Sequence, residues 1–361
     1  MLAPQNICFF NTTLFWGGGE KWHFEAAQKM ATTNNNTFFV CDGSGELSKK
    51  LKGLEVIQFS LSVGNLTFLN PIKVKALFNF FTENNIGTVI FNSPKDLKIG
   101  GLAAKKAGVK NVVYRRGIAV EVKKSRINLH LFKNVVTHFI FNSKATKELL
   151  QKHYKSIVDS KKCAIIYNAI AFPSNTELFN DLSENTPFII GNAGRLVEQK
   201  AQYFLIDIGK ELKNKGVNFK IVVAGDGPLK EELKKQIEEY DLCDQIEILG
   251  FVEDMKSFMG NIDIFVSTAI WEGFGFVIAE AMVAKKPVLA FNVSSNPELV
   301  KESQNGFLIP LGDTGLFAEK IACLIQDKKL RVDMGLVAYR YAMENFESDK
   351  QFRKLLEFIC C

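Results

Sequence analysis

The sequence predicts an α/β protein of two consecutive doubly wound, parallel-sheet domains, and three observations carry that prediction. The chain has 361 residues, too many for one comfortable core and too few for three, since domains run to roughly 100–200 residues. Short β-rich apolar runs alternate with segments of helical period from end to end, which is the signature of βα units rather than of a sandwich or a bundle. Near the midpoint, residues 171–187 (AFPSNTELFNDLSENTP) break the rhythm with two prolines and a polar cluster before it restarts. The reading is therefore a first domain over 1–170, a linker over 171–187, a second domain over 188–340 and a closing segment over 341–361.

In the first half NICFFNTT, TFFVCD, LEVIQFSL, TVIFNS, NVVYRRG, HFIFNS and CAIIYNA read as strands. Between them GEKWHFEAAQKMA, PIKVKALFNFFTEN and SKATKELLQKHY carry helical periodicity. In the second half FIIGNAGRL, FKIVVAGDG, QIEILGFV, DIFVSTAI and PVLAFNV read as strands, with helices near 199–215, 228–241, 254–260, 275–285 and 296–303. The last 45 residues are helical by pattern, and Phe352, Leu355, Leu356 and Ile359 recur at spacings of three and four. That stripe predicts a helix crossing back onto the first domain. Doubly wound sheets bind ligands outside the carboxyl ends of their strands, so a ligand is expected between those ends of the two sheets.

Composition narrows the class. With 47% hydrophobic and 23% charged residues and only 9 prolines, the chain is neither a disordered tail nor an integral membrane bundle. No window approaches the roughly 18 apolar residues that cross a bilayer, and MLAPQNICFFNTT lacks a basic, then apolar, leader. A cytoplasmic chain is expected. Seven scattered cysteines without a CxxC pair argue against a disulfide framework and a zinc site.

The formal charge of +6 hides a polarised molecule. Residues 1–170 hold 24 Lys and Arg against 10 Asp and Glu, net +14, whereas the remainder holds 21 against 29, net −8. Eleven of those bases fall between 95 and 133. Such asymmetry points to an anion met by one half only. There is no zinc finger, RNP-like strand or low-complexity basic arm, so nucleic acid is not expected. An anionic membrane surface fits better, each surface base being worth about 1 kcal/mol there.

The chemistry-bearing residues cluster at strand ends. Gly17, Gly18 and Gly19 in WGGGEKWH let backbone pass close to a ligand at a helix start, whose N–H groups suit an anion. GRLVEQK sets Arg195 and Lys200 five apart around a turn, where both heads can converge on a phosphate pair. Gly225–Pro228 brings a second backbone segment to the same place. In WEGFGFVIAE, Glu272 is expected at a strand tip, Gly273 and Gly275 open the turn, and Glu280 follows eight positions later. Carboxylates beside a phosphate site make sense when they accept hydrogen bonds from hydroxyls, as sugars provide. The four histidines have no metal spacing; only His23, after the glycine loop, is suspected of touching substrate.

GRLVEQK, AGDGP, LGFV, EGFGFVIAEAM, KPV, NPELV and NGFLI stand in an order that resembles the retaining glycosyltransferases of family four. The resemblance covers nearly the whole chain. It implies the GT-B fold, two Rossmann-like domains facing a central cleft. It implies that Arg195 and Lys200 hold the donor diphosphate, that Glu280 binds ribose, and that Glu272 with the Gly273, Phe274 and Gly275 backbone meets the donor sugar. Gly18 and Gly19 would close over the diphosphate, and Phe251 and Val252 would flank the base. No Asp-x-Asp triplet occurs, so no metal or other cofactor is expected, Arg, Lys and a helix end taking a cation's part.

The sequence also departs from that family. Asn92 and Arg116 stand where many relatives have histidines, which removes a general base and leaves either the departing phosphate or a covalent intermediate to serve retention. Arg115 and Arg116 are candidates for phosphate on donor or acceptor, or for a structural ion pair. Ala201 and Ser294 stand in glycine places, and Asn168-Ala169 replaces Asn-Gly. The expected function is transfer of a sugar from a nucleoside-diphosphate sugar to a lipopolysaccharide, polysaccharide or other lipid-linked acceptor, peripheral at the inner face of the cell membrane. A silent sugar-nucleotide-binding scaffold and a sugar-nucleotide epimerase are the alternatives.

Overall fold

The computed structural model describes residues 5–172 and 187–360. Most of the expected linker, 173–186, lies outside the described residues. The chain divides into two units, one of residues 1–169 with 349–361 and one of 170–348.

Unit 1 alternates strand and helix in sequence: β1 Asn6–Phe10, α1 Gly18–Ala31, β2 Asn36–Cys41, α2 Glu46–Lys50, β3 Ile57–Ser60, α3 Pro71–Glu83, β4 Thr88–Phe91, α4 Pro94–Lys106, β5 Asn111–Arg116, α5 Arg126–Asn134, β6 His138–Phe141, α6 Lys144–Asp159 and β7 Lys162–Ile165. Helix starts are written locally. Asn70 accepts from the Ile72 and Lys73 amides ahead of Pro71, and Ser93 and Ser143 cap α4 and α6 the same way. All strands run parallel in the order β3-β2-β1-β4-β5-β6-β7. Alternation along β1 sends Ile7 and Phe9 to one buried layer and Cys8 and Phe10 to the other.

Unit 2 repeats the plan with β8 Phe188–Ala193, α7 Tyr203–Asn214, β9 Phe219–Ala224, α8 Lys230–Glu239, β10 Ile246–Gly250, α9 Met255–Gly260, β11 Ile264–Ser267, α10 Phe276–Val283, β12 Val288–Phe291, α11 Asn296–Leu299, β13 Gly306–Ile309, α12 Thr314–Gln326 and α13 Lys328–Phe346. Its parallel sheet has the order β10-β9-β8-β11-β12-β13. Strand order reverses beside β1 in unit 1 and beside β8 in unit 2, so the loops after β8 and β11 emerge side by side.

Several boundaries differ from the sequence reading. The helix expected from 199 begins at Tyr203, because residues 199–202 are used in a turn. β13 was not expected as a strand: a Cβ on Gly306 would sit 1.9 Å from the Val288 carbonyl oxygen, a close backbone approach that periodicity does not register. The closing helix does not start at 341. α13 continues to Phe346, the chain turns extended at Glu347, and α14, Ser348–Cys360, buries Leu355 and Ile359 in the layer with Ile7 and Phe9. There Asn111 Nδ2 donates to the Ile359 carbonyl at 3.0 Å. Among the described residues no helix is long and apolar enough to cross a membrane.

Candidate functional site

Four loops at the carboxyl edge of the unit 2 sheet are stitched together by their backbones. Gly194 donates to Ala224 (2.9 Å), Leu196 to Asp226 (3.0 Å), Gly225 to Gly250 (2.7 Å) and Ile270 to Gln199 (3.0 Å). Approach is so close that a Cβ on Gly225 would lie 1.9 Å from the Gly194 carbonyl oxygen, and one on Gly227 2.5 Å from that of Leu196. Only glycine allows it.

Within this frame Lys200 and Glu272 form an ion pair, their side chains 19% and 14% exposed. The sequence reading gave them separate tasks, one on phosphate and one on sugar; in the structure they are partners. Thr268 Oγ1 donates to the Lys200 carbonyl at 2.9 Å, Gln199 Nε2 to that of Trp271 at 3.1 Å, and Ser295 Oγ to that of Glu272 at 3.0 Å. These three polar residues hold the pair in place, and their roles leave no local signal because each acts on a backbone distant in the chain. Glu272 lies five residues beyond the end of β11, not at the strand tip.

Arg195 is exposed and makes no side-chain hydrogen bond or ion pair with a described residue. In the loop after β11, Gly275 precedes α10 in the left-handed conformation (φ 95°), with no side-chain cap. First-turn N–H groups without a cap, at the positive end of the helix dipole, attract an anion. Gly273, Phe274 and Gly275 are buried, Phe274 edge-on to Phe346 at 5.1 Å. Glu280, the fifth residue of α10, lines a groove of about 350 Å³ with Phe172, Met255, Met259 and Val283. Val252 is half-buried and Phe251 81% exposed in the loop after β10. The edge thus offers an exposed cation, an anion-attracting helix end and a charge pair, which together suit a phosphorylated, hydroxyl-rich ligand.

Ala201 and Ser294 both keep the left-handed backbone of the glycines they stand for, at φ 47° and 48°. An L-residue there costs roughly 1–2 kcal/mol. Both turns therefore carry strain, Ala201 beside Lys200 and Ser294 beside Ser295, which holds the Glu272 carbonyl.

In unit 1, α1 starts at Gly18 with no side-chain cap; Gly18 is exposed, and a Cβ on Gly19 would lie 2.4 Å from Asn92 Nδ2. Arg115 and Arg116 do not offer themselves to phosphate. Arg115 is 1% exposed, donates to Asn92 (2.8 Å) and Asn168 (2.6 Å), and stacks on Trp22 at 4.3 Å. Burial pushes its guanidinium down to about 9, opposed by Glu20. Arg116, 6% exposed, donates to the Val120 carbonyl. Both are structural, although not as the ion pair considered from sequence: their partners are amides, a ring and a carbonyl.

His23 likewise leaves the site. It is fully buried, edge-on to Phe9 at 5.9 Å and Trp22 at 5.1 Å. Burial first, and Arg115 second, push it down to about 3. Unfolded chain then takes up a proton below the ordinary value of about 6.5 that folded chain refuses, so stability present above that pH is lost as pH falls. Going from pH 7 to 5 is expected to cost about 2 kcal/mol through this group. Urea unfolding of wild type and His23→Gln at both pH values checks it: the variant should lose less on acidification, and equal losses would refute the assignment. Asp96, which burial pushes the other way, is common to both proteins and cancels.

Two family models cover most of the chain: one described as Glycosyltransferase Family 4 matches residues 16–171, and one described as Glycosyl transferases group 1 matches residues 174–341. An Escherichia coli UDP-Gal:alpha-D-GlcNAc-diphosphoundecaprenol alpha-1,3-galactosyltransferase is 26% identical over 81% of this chain and 81% of its own. The Staphylococcus aureus capsular polysaccharide biosynthesis glycosyltransferase CapM is 35% identical over 42% of this chain and 40% of its own. Among solved structures, Anabaena HepE in complex with UDP superposes with a TM-score of 0.83 at 22% identity, over 98% of this chain and 99% of that one. A glycosyltransferase from Rickettsia africae gives 0.84 at 20% identity, over 99% and 98%.

Proposed function

The chain belongs to glycosyltransferase family four and has the GT-B fold, and on that premise we propose that it is a retaining, metal-independent enzyme that moves a sugar from a nucleoside diphosphate to a lipid-linked or polysaccharide acceptor. The observation that carries this reading is the placement of Arg195, the Lys200–Glu272 pair and the uncapped start of α10 in the loops at the carboxyl edge of the unit 2 sheet.

Each group has a task in it. Arg195 and the α10 N–H groups take the charge that builds on the diphosphate as the glycosidic bond breaks. Lys200 shares that charge while its partner Glu272 accepts from donor hydroxyls. Glu280 meets the ribose, with Val252 beside the base. Gly18 and Gly19, at the uncapped start of α1, give unit 1 N–H groups of its own that suit an anion. The names of the relatives, one with a diphosphoundecaprenol acceptor and one in capsule synthesis, support a lipid-linked or polysaccharide acceptor. The net +14 of residues 1–170 supports work at the inner face of the cell membrane.

Thermal stabilisation by uridine, guanosine, adenosine and thymidine diphosphates tests the donor site, because ligand at 100 times its Kd adds roughly 2.7 kcal/mol. Uridine diphosphate is expected to shift the melting temperature; no shift with any of the four would overturn the reading. Glu280→Gln is expected to weaken the binding of that nucleotide more than it slows turnover at saturating donor, since ribose contacts are equal in ground and transition states. Lost turnover with unchanged affinity would reassign Glu280. The anomeric configuration of the first-formed product, read by NMR, tests retention.

A further inference from the structure

Three strands of the unit 1 sheet hand over directly to an asparagine at their carboxyl ends: Asn11 after β1, Asn92 after β4 and Asn142 after β6. Two of these amides spend their N–H groups inside the fold. Asn11 Nδ2 donates to Glu20 at 3.1 Å, and Asn142 Nδ2 to the Gly117 carbonyl at 3.0 Å. Asn92 differs: it is half-buried, and its Nδ2 makes no hydrogen bond with a described residue.

Which way that amide faces is decided by its neighbour. Asn92 Oδ1 accepts from Arg115 Nη1 at 2.8 Å, while Arg115 Nη2 donates to Asn168 at 2.6 Å. A guanidinium carries donors only, so a flipped Asn92 would set NH₂ against N–H and lose the bond. Arg115 has no room to move aside. It is 1% exposed, the Trp22 ring covers it at 4.3 Å, and a Cβ on Gly117 would lie 2.7 Å from Nη1. The Asn92 NH₂ is therefore turned away from the guanidinium and against Gly19, at the turn into α1, where Gly18 is exposed and Gly19 half-buried. An amide is no base at neutral pH; at this position it offers a hydrogen-bond donor, aimed in advance.

We propose that Asn92 donates a hydrogen bond from Nδ2 to a substrate oxygen beside the turn into α1, and that Arg115 is the positioning residue that fixes the amide for it. Arg115 thus gains a task beyond holding the sheet edge together. The assignment deepens the function proposed above and rests on that reading for its substrate. The oxygen belongs to a phosphate or to a sugar hydroxyl, both of which accept. Its benefit is preorganisation: the donor needs no reorientation when substrate arrives.

Asn92→Asp separates this role from a structural one. Its carboxylate accepts from Arg115 as the amide does, so the melting temperature without ligand should stay close to that of wild type, but it presents an acceptor where the amide had a donor. Either kcat at saturating donor or affinity for uridine diphosphate should fall roughly 100-fold, and roughly tenfold in Asn92→Ala. Lost nucleotide affinity places the oxygen on phosphate; lost kcat at unchanged affinity places it on the sugar. If the Asp variant melts early, Asn92→Ala decides alone. Wild-type kcat and affinity in these variants would overturn the assignment.

A double-mutant cycle tests the positioning. Arg115→Met is expected to lower the melting temperature whatever its role, and Arg115→Lys, which keeps the charge but not the fork that reaches both asparagines, serves if the Met variant does not fold. If Arg115 acts through Asn92, adding Asn92→Ala to either background should cost less than about twofold, against roughly tenfold in wild type. Equal losses in both backgrounds would overturn the positioning role. Wild-type transfer with unaffected Asn92 variants sinks this assignment alone, whereas a wild-type chain that neither binds nucleotide nor transfers sugar sinks the function on which it rests.

Discussion

Arg195→Ala is expected to lower turnover about 10²- to 10³-fold with the fold intact. Its side chain is exposed and holds nothing together among the described residues, so its removal leaves no cavity and no orphaned partner. What the variant loses is a preorganised charge donor facing the diphosphate, an interaction that strengthens only as the leaving group gains charge; such losses amount to roughly 3–4 kcal/mol of barrier. The effect should therefore appear in kcat at saturating donor, with an unchanged melting temperature in the absence of ligand. Normal turnover of the variant would remove Arg195 from the mechanism, and a lowered melting temperature would make it a structural residue.

Lys200→Met is expected to act the other way, on stability as well as on turnover. The Lys200–Glu272 pair is mostly out of water, and removing the ammonium leaves the carboxylate, among the described residues, with the Gly273 amide at 3.2 Å. Breaking a fully buried pair costs roughly 3–5 kcal/mol; some access to water here brings the expected loss to about 2–3 kcal/mol. Adding Glu272→Gln removes the stranded charge and should restore most of that stability without restoring turnover. Urea unfolding and donor-saturated rates on the single and double variants check this. A double variant as unstable as the single would show that something other than the charge pair holds these loops.

Most of the chain's architecture is written locally. Alternating apolar runs, asparagine and serine caps, and prolines at first helical positions each act within a few residues, so every strand but β13, many helices and the two-unit plan follow from the sequence. The glycine turns of unit 2 were legible for the same reason: a close backbone approach or a helix start leaves its mark in residue type. The basic excess of the first half was also a matter of counting.

Contacts across the chain lay beyond that reading. Nothing near position 200 says that its ammonium meets residue 272, because the loops after β8 and β11 become neighbours only when strand order reverses. Adjacent bases at 115 and 116 look the same whether they face solvent or amides and a carbonyl, and His23 looks alike on a ligand or among Phe9, Trp22 and Phe39. Burial decides these roles, since it sets both what a side chain can touch and how readily it carries charge. The sequence by itself determined the elements, their order and the residue types at the strand ends. Tertiary structure decided which of those charges are spent on one another and which, as at Arg195, stay exposed, because burial and pairing depend on loops that meet only in the folded sheet.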